Sequence, residues 1–285
     1  MTEVFADFPL AVFTTLATIG VGAYVTLAIT YAYGKLSPEE YQKTAKFSVI
    51  PLAFMAVGVL ASFFHLTNPI NATNVFSTVG STPMANEIIM LVVFGILAVI
   101  YWLAGGFAKM PGGTHKVIVA VLAVLGVVCC TFMGMAYMIA GVPCWNTLFT
   151  PISTIGFGLF GGTAVAMLVL AMSDVADREL DGSCANTVAG VNVLGFLMAV
   201  AGVIGIYVLA SGSASALVDG GAAAGAMLPF VVISIILMVI GVGGTFMAVK
   251  VAPWKSVSII LIVVVVLAVF LARLAFYGMQ IGIGL

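Results

Sequence analysis

Three ionisable side chains stand inside or at the edge of long apolar stretches of this chain: His65, Glu87 and Arg273. An ionisable group is costly in hydrocarbon, so by default such residues mark a functional site. Histidine changes its charge near neutral pH, a carboxylate also accepts protons, and arginine supplies a fixed positive charge. Together these groups suit a small amphipathic ligand that exchanges protons.

The apolar stretches around them predict a membrane protein. The chain has nine Lys and Arg and ten Asp and Glu among 285 residues. It is 63% hydrophobic, with a mean hydropathy of +1.29. A membrane helix needs about 20 mostly apolar residues. Runs of that kind lie at about 9–33, 47–65, 84–107, 117–140, 151–173, 186–211, 225–249 and 256–280.

These runs predict an all-α integral membrane protein, a bundle of eight transmembrane helices forming a single domain over residues 1–285. The alternating segments of about ten residues that are typical of a membrane β-barrel are absent from the sequence. The first run lacks a basic segment before it and a small-residue cleavage site. We therefore interpret it as a retained span rather than a signal peptide.

Lys and Arg in short loops orient a membrane protein, because they are enriched on the cytoplasmic side. The loops after the first, third, fifth and seventh spans contain Lys35, Lys43, Lys46, Lys109, Lys116, Arg178, Lys250 and Lys255. The other three loops contain none. The pattern predicts that both termini face outward. We accordingly expect Cys144 to be accessible from outside and Cys184 to be inaccessible there.

This orientation places the three ionisable residues in the outer half of the membrane. His65 ends the second span, Glu87 lies about 5 Å below the surface, and Arg273 lies about 10 Å deep. We expect them to line one pocket that is open to lipid, in which His65 and Glu87 accept protons from a quinol. The alternatives are a structural pair of Glu87 with Arg273 and an interfacial histidine bonded to a backbone carbonyl.

Polar residues of the outer loops and span ends could add contacts to the same ligand. Asn74 and Asn86 belong to the long uncharged segment between the second and third spans, and Tyr277 is close to Arg273. Backbone that is not helical near the membrane is tolerated where it lines a cavity. Trp145, in the fourth loop, is either an interfacial aromatic residue or a further quinol contact.

The sequence argues against a redox centre in this chain. The two histidines, His65 and His115, are predicted on opposite sides, with His115 in the third, cytoplasmic loop, so they cannot hold one haem between them. The four cysteines form no C-x-x-C pair, which argues against an iron–sulfur cluster and against structural zinc. We expect no haem, no iron–sulfur cluster and no metal in this chain. Any electron carriers would then belong to partner proteins.

Several motifs resemble the membrane anchor subunit family of dimethyl sulfoxide reductase (DmsC-like). They are ASFFHLTNPINATNVFSTVGSTPMANEI around His65 and Glu87, FADFPLAVFTTLATIGVGAYV near the N-terminus, VPCWNTLFTPIS around Trp145, and ARLAFYGMQIGIG at the end. They occur in order on one topology, from about residue 5 to residue 285. The sequence departs from the pattern of one family member at two positions. That member has a basic residue in place of Asn71 and an acidic residue in place of Val269.

The resemblance implies a haem-free anchor subunit that oxidises menaquinol. Such a subunit sits in the cytoplasmic (inner) membrane of a bacterium. It passes electrons to an iron–sulfur subunit and from there to a molybdopterin catalytic subunit, in anaerobic respiration. The partners are then these two subunits and membrane lipid, with no nucleic acid.

Two other functions fit the same sequence. A secondary transporter or small-solute channel would favour charges at the membrane midplane, broken helices in paired positions and an internal repeat. The ionisable groups are off-centre and no clear repeat is found. A purely structural anchor, whose polar cluster only docks a partner, is the third hypothesis.

Overall fold

The computed structural model describes residues 7–34, 36–65, 77–175, 182–213, 219–250 and 254–282. Within these ranges the chain folds into nine α-helices and no strand. The helices are α1 (Phe8–Tyr33), α2 (Pro38–Phe47), α3 (Val49–Ser62), α4 (Pro83–Phe107), α5 (Gly112–Met135), α6 (Phe149–Met172), α7 (Gly182–Ser211), α8 (Gly220–Lys250) and α9 (Trp254–Gly278). A short 3-10 turn, Phe63–His65, continues α3.

Eight helical segments are long and apolar enough to cross a membrane, as the sequence predicts. Helices α2 and α3 with the 3-10 turn together make the second of them, Pro38–His65. The side of the membrane on which each end lies stays a prediction.

The second span begins earlier than its hydropathy suggests, because part of the first loop is itself helical. Ser37 caps α2 by accepting a hydrogen bond from the Glu40 backbone N–H, and the Glu40 carboxylate accepts one from the Ser37 backbone N–H. This reciprocal pair satisfies backbone donors that a helix start leaves free. The helix is then interrupted at Ser48, three residues before Pro51, which has no N–H to donate.

The fourth span is shifted from its predicted position, because α5 covers Gly112–Met135 rather than 117–140. Helix formation starts directly after Pro111, although the first residues are too polar to enter a hydropathy window. His115 therefore lies in the first turn of α5 and not in a loop. Its side chain is buried, stacked on Tyr41 and within hydrogen-bonding distance of the Tyr101 hydroxyl, at 3.2 Å.

Helices α1 and α6 form the centre of the bundle and are enclosed along most of their length. They can approach closely because Gly22 and Gly162 have no side chain. A Cβ atom on Gly22 would collide with the backbone of Gly158, and one on Gly162 with the backbone of Ala23. Small residues at helix contacts are typical of membrane bundles, where packing rather than hydrophobic burial holds helices together. Helix α3 also packs against α1, with the Met55 backbone close to Gly20.

The two ends of the bundle differ in their polar contacts. At one end Lys43 is 3.6 Å from Asp174, and the Trp102 indole N–H donates to the Lys46 carbonyl at 3.1 Å. These contacts join the first, third and fifth predicted loops or the helix ends beside them. At the other end His65 meets Asp7. The first, third and fifth loops therefore share one end, as the topology predicts.

Cys144 does not have the accessibility that the sequence predicts. Its residue is 1% exposed, and its thiol donates to the Met279 carbonyl at 3.3 Å. Burial also raises the pKa of the Cys144 thiol, which makes the reactive thiolate rarer. Since Cys184 is buried as well, the native cysteines cannot report the topology.

New cysteines at exposed loop positions test the orientation. We expect Ser81→Cys to react with a membrane-impermeant maleimide in intact cells and Lys109→Cys to react only after permeabilisation, because the two positions are exposed on opposite loops. Mass-tagging of the labelled protein gives the readout, with the unmodified protein as the background. The reverse labelling pattern would overturn the predicted orientation.

A methyl group at the α1–α6 contact should weaken the bundle. We expect Gly22→Ala to lower the stability by about 1–3 kcal/mol, because the backbones must separate to admit it. Thermal unfolding of the purified protein in detergent measures the change. Gly190→Ala is the matched control, since a Cβ atom there meets nothing within 4 Å. Equal effects of the two substitutions would contradict the close approach.

Candidate functional site

The predicted site contains a fully buried cation. Arg273 lies on α9 with 1% of its surface exposed. Its Nε–H donates to the Thr14 hydroxyl at 2.8 Å, and its Nη2 donates to the Tyr277 hydroxyl at 3.3 Å. Thr14 in turn donates to the Leu10 carbonyl at 2.8 Å, so its oxygen is oriented to accept from the arginine.

Three aromatic rings enclose the same guanidinium group. Its central carbon lies 4.3 Å from the centre of the Phe276 ring and 5.2 Å from those of Tyr137 and Tyr277. The faces of aromatic rings attract cations, by about 2 kcal/mol or more when water is excluded. The rings and the two hydroxyl groups together replace the water that Arg273 loses.

Glu87 lies on the inward face of α4, shared with Leu91, Phe94, Ala98 and Tyr101. The residue is 6% exposed, and its Oε1 atom has no hydrogen-bond partner within the protein. It lies within electrostatic range of Arg273 and of Tyr137. Among the described residues, however, it forms no ion pair with Arg273 at contact distance. A structural pair in direct contact is therefore absent, and the alternative of two charges neutralising each other over a longer distance stays a prediction.

His65 lies at the surface, at the end of the 3-10 turn that follows α3. Its side chain is 43% exposed, and its Nδ1 atom is 3.7 Å from Oδ1 of Asp7. Asp7 immediately precedes α1, the helix that supplies Thr14 to Arg273. An exposed imidazole beside a carboxylate is suited to exchange protons with a ligand or with solvent.

The structure therefore separates the three predicted residues by burial. His65 is accessible, whereas Arg273 and Glu87 are enclosed by helices. The expectation that all three line one pocket open to lipid is therefore wrong for Arg273 and Glu87. The physical reason is the cost of an arginine charge in hydrocarbon, which protein groups must surround. The cavity that Arg273 lines holds only about 10 Å³, room for one water at most, and neither His65 nor Glu87 borders it.

The predicted secondary contacts have different environments. Trp145 is 4% exposed, stacked on Phe276 at 4.5 Å, and its indole N–H donates to the Phe276 carbonyl at 3.2 Å. It is therefore not an interfacial aromatic facing lipid, but a support for the ring that covers Arg273. Asn86 accepts a hydrogen bond from the Gly80 backbone N–H at 2.7 Å and so stabilises the turn before α4. Asn74 lies outside the described residues.

Sequence reasoning missed two members of this cluster, Thr14 and Tyr137. Thr14 looks like one of several threonines in an apolar helix, and Tyr137 falls inside a predicted span. The available signal was the hydroxyl group that both side chains carry, because a buried hydroxyl group is usually hydrogen-bonded to a polar partner. Only the packing of α1 against α9 shows that Thr14 serves Arg273.

Within the residues that the structure describes, no three His, Cys, Asp or Glu side chains are grouped closely enough to hold a metal ion. The side chains of the cluster itself offer two kinds of chemistry. The imidazole and the carboxylate can exchange protons, and the enclosed guanidinium group can stabilise negative charge.

Comparison with known proteins identifies the family. Residues 1–279 match the model of the DMSO reductase anchor subunit (DmsC) family. The protein belongs to this family. It is a multi-pass membrane protein, as its eight long apolar helices and this family indicate.

Three similar proteins are each named as a subunit of an anaerobic dimethyl sulfoxide reductase. The C subunit of anaerobic dimethyl sulfoxide reductase from Haemophilus influenzae is 31% identical over 61% of this protein and 62% of its own length. The C subunit of the Escherichia coli enzyme is 27% identical, covering 70% of this protein and 68% of its own length. The E. coli subunit YnfH, also of an anaerobic dimethyl sulfoxide reductase, is 26% identical over 98% of this protein and 96% of its own length. The Haemophilus match therefore spans less than two thirds of that relative.

Removing the hydroxyl group that holds Arg273 should destabilise this anchor-family protein. We expect Thr14→Val to lower the stability by roughly 1.5–3 kcal/mol, since a buried charged donor loses its acceptor. Thermal unfolding in detergent is the measurement. Thr30→Val is the control, because Thr30 is equally buried on α1 and donates to the Thr26 carbonyl of its own helix. A loss no greater than that of Thr30→Val would show that the hydrogen bond contributes nothing.

Proposed function

We propose that this protein oxidises menaquinol on the outer side of a bacterial cytoplasmic membrane. It would do so as the anchor subunit of a molybdopterin oxidoreductase resembling dimethyl sulfoxide reductase. Membership of the DMSO reductase anchor subunit family supports the anchor role and favours it over a transporter or channel. The names of the relatives support a multi-subunit reductase.

The observation that carries the quinol proposal is the presence of two proton acceptors, the exposed His65 and the buried Glu87, at the same end of the bundle. Glu87 has an oxygen without a protein partner, in a place where a carboxylate is costly to keep. We infer that a buried carboxylate oxygen without a protein partner has a chemical role. His65, 43% exposed, is the accessible counterpart.

The proposed reaction balances with these groups. Menaquinol loses two electrons and two protons to become menaquinone. His65 accepts one proton directly as an O–H bond of the quinol breaks, and the enclosed Glu87 accepts the second by way of water. The electrons leave to an iron–sulfur partner subunit. That subunit would pass them to the molybdopterin catalytic subunit, which reduces the terminal acceptor.

Arg273 supports this chemistry from a distance in our proposal. The side chain is too deeply enclosed to touch the quinol, but its charge lies within electrostatic range of Glu87. Burial disfavours an ionised carboxylate, which is the form that can accept a proton, and a fixed cation nearby offsets part of that cost. Arg273 is therefore a positioning residue.

Neutral substitutions at the two acceptors test the proposal. We expect His65→Ala and Glu87→Gln to lower the rate of quinol oxidation about a hundredfold or more, the usual contribution of a positioned proton acceptor. The assembled complex would be assayed with a reduced short-chain naphthoquinol as the donor. The same preparation would be assayed with a reduced viologen dye, which supplies electrons to the partner subunits directly and should be oxidised at the parent rate.

Asp219→Asn is the matched control, because it neutralises an exposed carboxylate on another loop at the same end of the bundle. It should leave both activities unchanged. Loss of both activities in His65→Ala and Glu87→Gln would assign the two residues a structural role. Unaltered naphthoquinol oxidation in both variants would refute the proposed site.

A further inference from the structure

Lys46 is an exposed cation at the end of the bundle opposite His65, and aromatic side chains of α4 hold it in place. It lies in the last turn of α2, where the Trp102 indole N–H donates to its carbonyl at 3.1 Å. Its Nζ atom is 5.7 Å from the centre of the Phe107 ring, within the range of a cation–π contact. The Trp102 and Phe107 rings also contact each other edge-on, with centroids 5.9 Å apart.

A close approach of α2 to α4 brings a second lysine to the same place. A Cβ atom on Gly106 would lie 2.9 Å from the Lys46 Cα atom, so the two backbones are in contact there. Lys109 follows Gly106 by three residues, which span at most about 11 Å of extended chain. Its side chain is exposed in the loop that joins α4 to α5. Two ammonium groups can therefore reach one ligand beside the Phe107 ring.

The nearby carboxylates do not neutralise these two lysines. Glu39 lies 3.4 Å and Asp174 lies 3.6 Å from the Nζ atom of a different lysine, Lys43. Within the ranges that the structure describes, neither Lys46 nor Lys109 has a carboxylate at ion-pair distance. Their charges are therefore available to an anion from outside the protein.

From Lys46 toward the middle of the bundle, α4 has a stripe of exposed apolar side chains. Ile96, Ile100, Leu103 and Phe107 are spaced by three or four residues, so they lie on one face of the helix. The last follows the first by eleven positions, which corresponds to about 16 Å along the helix axis. This is close to half of the roughly 30 Å of hydrocarbon in a membrane. An acyl chain of one leaflet matches the stripe in length and in polarity.

Trp102 lies at the boundary between this apolar stripe and the charged loop. It is half-buried on α4, directly before Leu103 of the stripe. Tryptophan is enriched at the level of the lipid headgroups, where one end of its ring system is apolar and the other is wet. A lysine at this level keeps its stem against apolar groups and its charge among the headgroups. The charge of Lys46 is thus at the depth of a lipid phosphate.

We propose that Lys46 and Lys109 bind the phosphate of an anionic phospholipid, whose acyl chain lies along Phe107 and the rest of the α4 stripe. The two lysines supply charge, and the stripe supplies the apolar surface that distinguishes a lipid from a free phosphate. The site is at the opposite end of the bundle from His65 and Glu87, so it does not depend on the proposed quinol chemistry. It would also join α2 to the loop after α4 through the bound lipid.

Lipid titration of the purified full-length protein in an uncharged detergent, followed by native mass spectrometry, tests the site. The probe is dioleoyl phosphatidylglycerol, and dioleoyl phosphatidylcholine is the zwitterionic comparison. We expect the parent protein to retain phosphatidylglycerol at lower concentrations than phosphatidylcholine. Lys46→Gln and Lys109→Gln should each weaken phosphatidylglycerol binding about fivefold, which corresponds to about 1 kcal/mol for one basic residue near an anionic surface.

Lys43→Gln is the matched control, because it removes the same charge from α2 at a lysine that already has carboxylate partners. It should bind phosphatidylglycerol with the parent affinity. Equal weakening in Lys43→Gln and Lys46→Gln would overturn the site, since it would show only a general attraction to basic residues. Equal binding of the two lipids by the parent protein would overturn it as well.

Inorganic phosphate distinguishes a lipid site from a site for a soluble phosphate. We expect an excess of inorganic phosphate, at constant ionic strength, to leave phosphatidylglycerol bound, because phosphate cannot use the apolar stripe. Displacement of the lipid by inorganic phosphate in the parent protein but not by the same concentration of sulfate would overturn the assignment to a lipid.

Discussion

The burial of one arginine charge governs the arrangement of the end of this bundle at which His65 and Glu87 lie. Arg273 is enclosed by protein and so is kept from bulk water. Its compensation comes from Thr14 on α1, from Tyr277 on its own helix and from three aromatic rings. Because these groups come from different parts of the chain, solvating the charge also fixes how α1, α9 and the segment after α5 meet.

Helix α1 connects the accessible and the enclosed parts of the site. Asp7 at its start contacts His65, and Thr14 two turns later binds Arg273. The same helix packs against α3, α5 and α6 along its length. A displacement of α1 would therefore change both parts together, which is consistent with a site in which surface proton acceptance and an internal charge act jointly.

The opposite end of the bundle has a buried polar cluster of its own. His115 bonds to the Tyr101 hydroxyl group, and Tyr101 is 2.9 Å from the Tyr31 hydroxyl group. Tyr41 stacks on the imidazole ring. The cluster is satisfied internally and joins α1, α2, α4 and α5, so we interpret it as structural. Burial of a tyrosine or histidine in this protein therefore does not by itself indicate a functional role, and the contacts of the side chain must be known first.

The class of the fold follows from the amino-acid sequence alone, since the lengths of the apolar runs reflect the thickness of the membrane. The same sequence identifies His65, Glu87 and Arg273 as costly residues that require an explanation. It leaves their accessibility open, because hydropathy assigns a depth along a helix but not the direction in which a side chain points.

Accessibility is settled by the packing of α1 against α9. That packing encloses Arg273 and brings Thr14 to it, while the segment between α5 and α6 supplies Tyr137 and places Trp145 against Phe276. The hydrogen bonds involved join residues more than 130 positions apart in the chain. A local pattern carries no information about such pairs, so only the folded bundle reveals them.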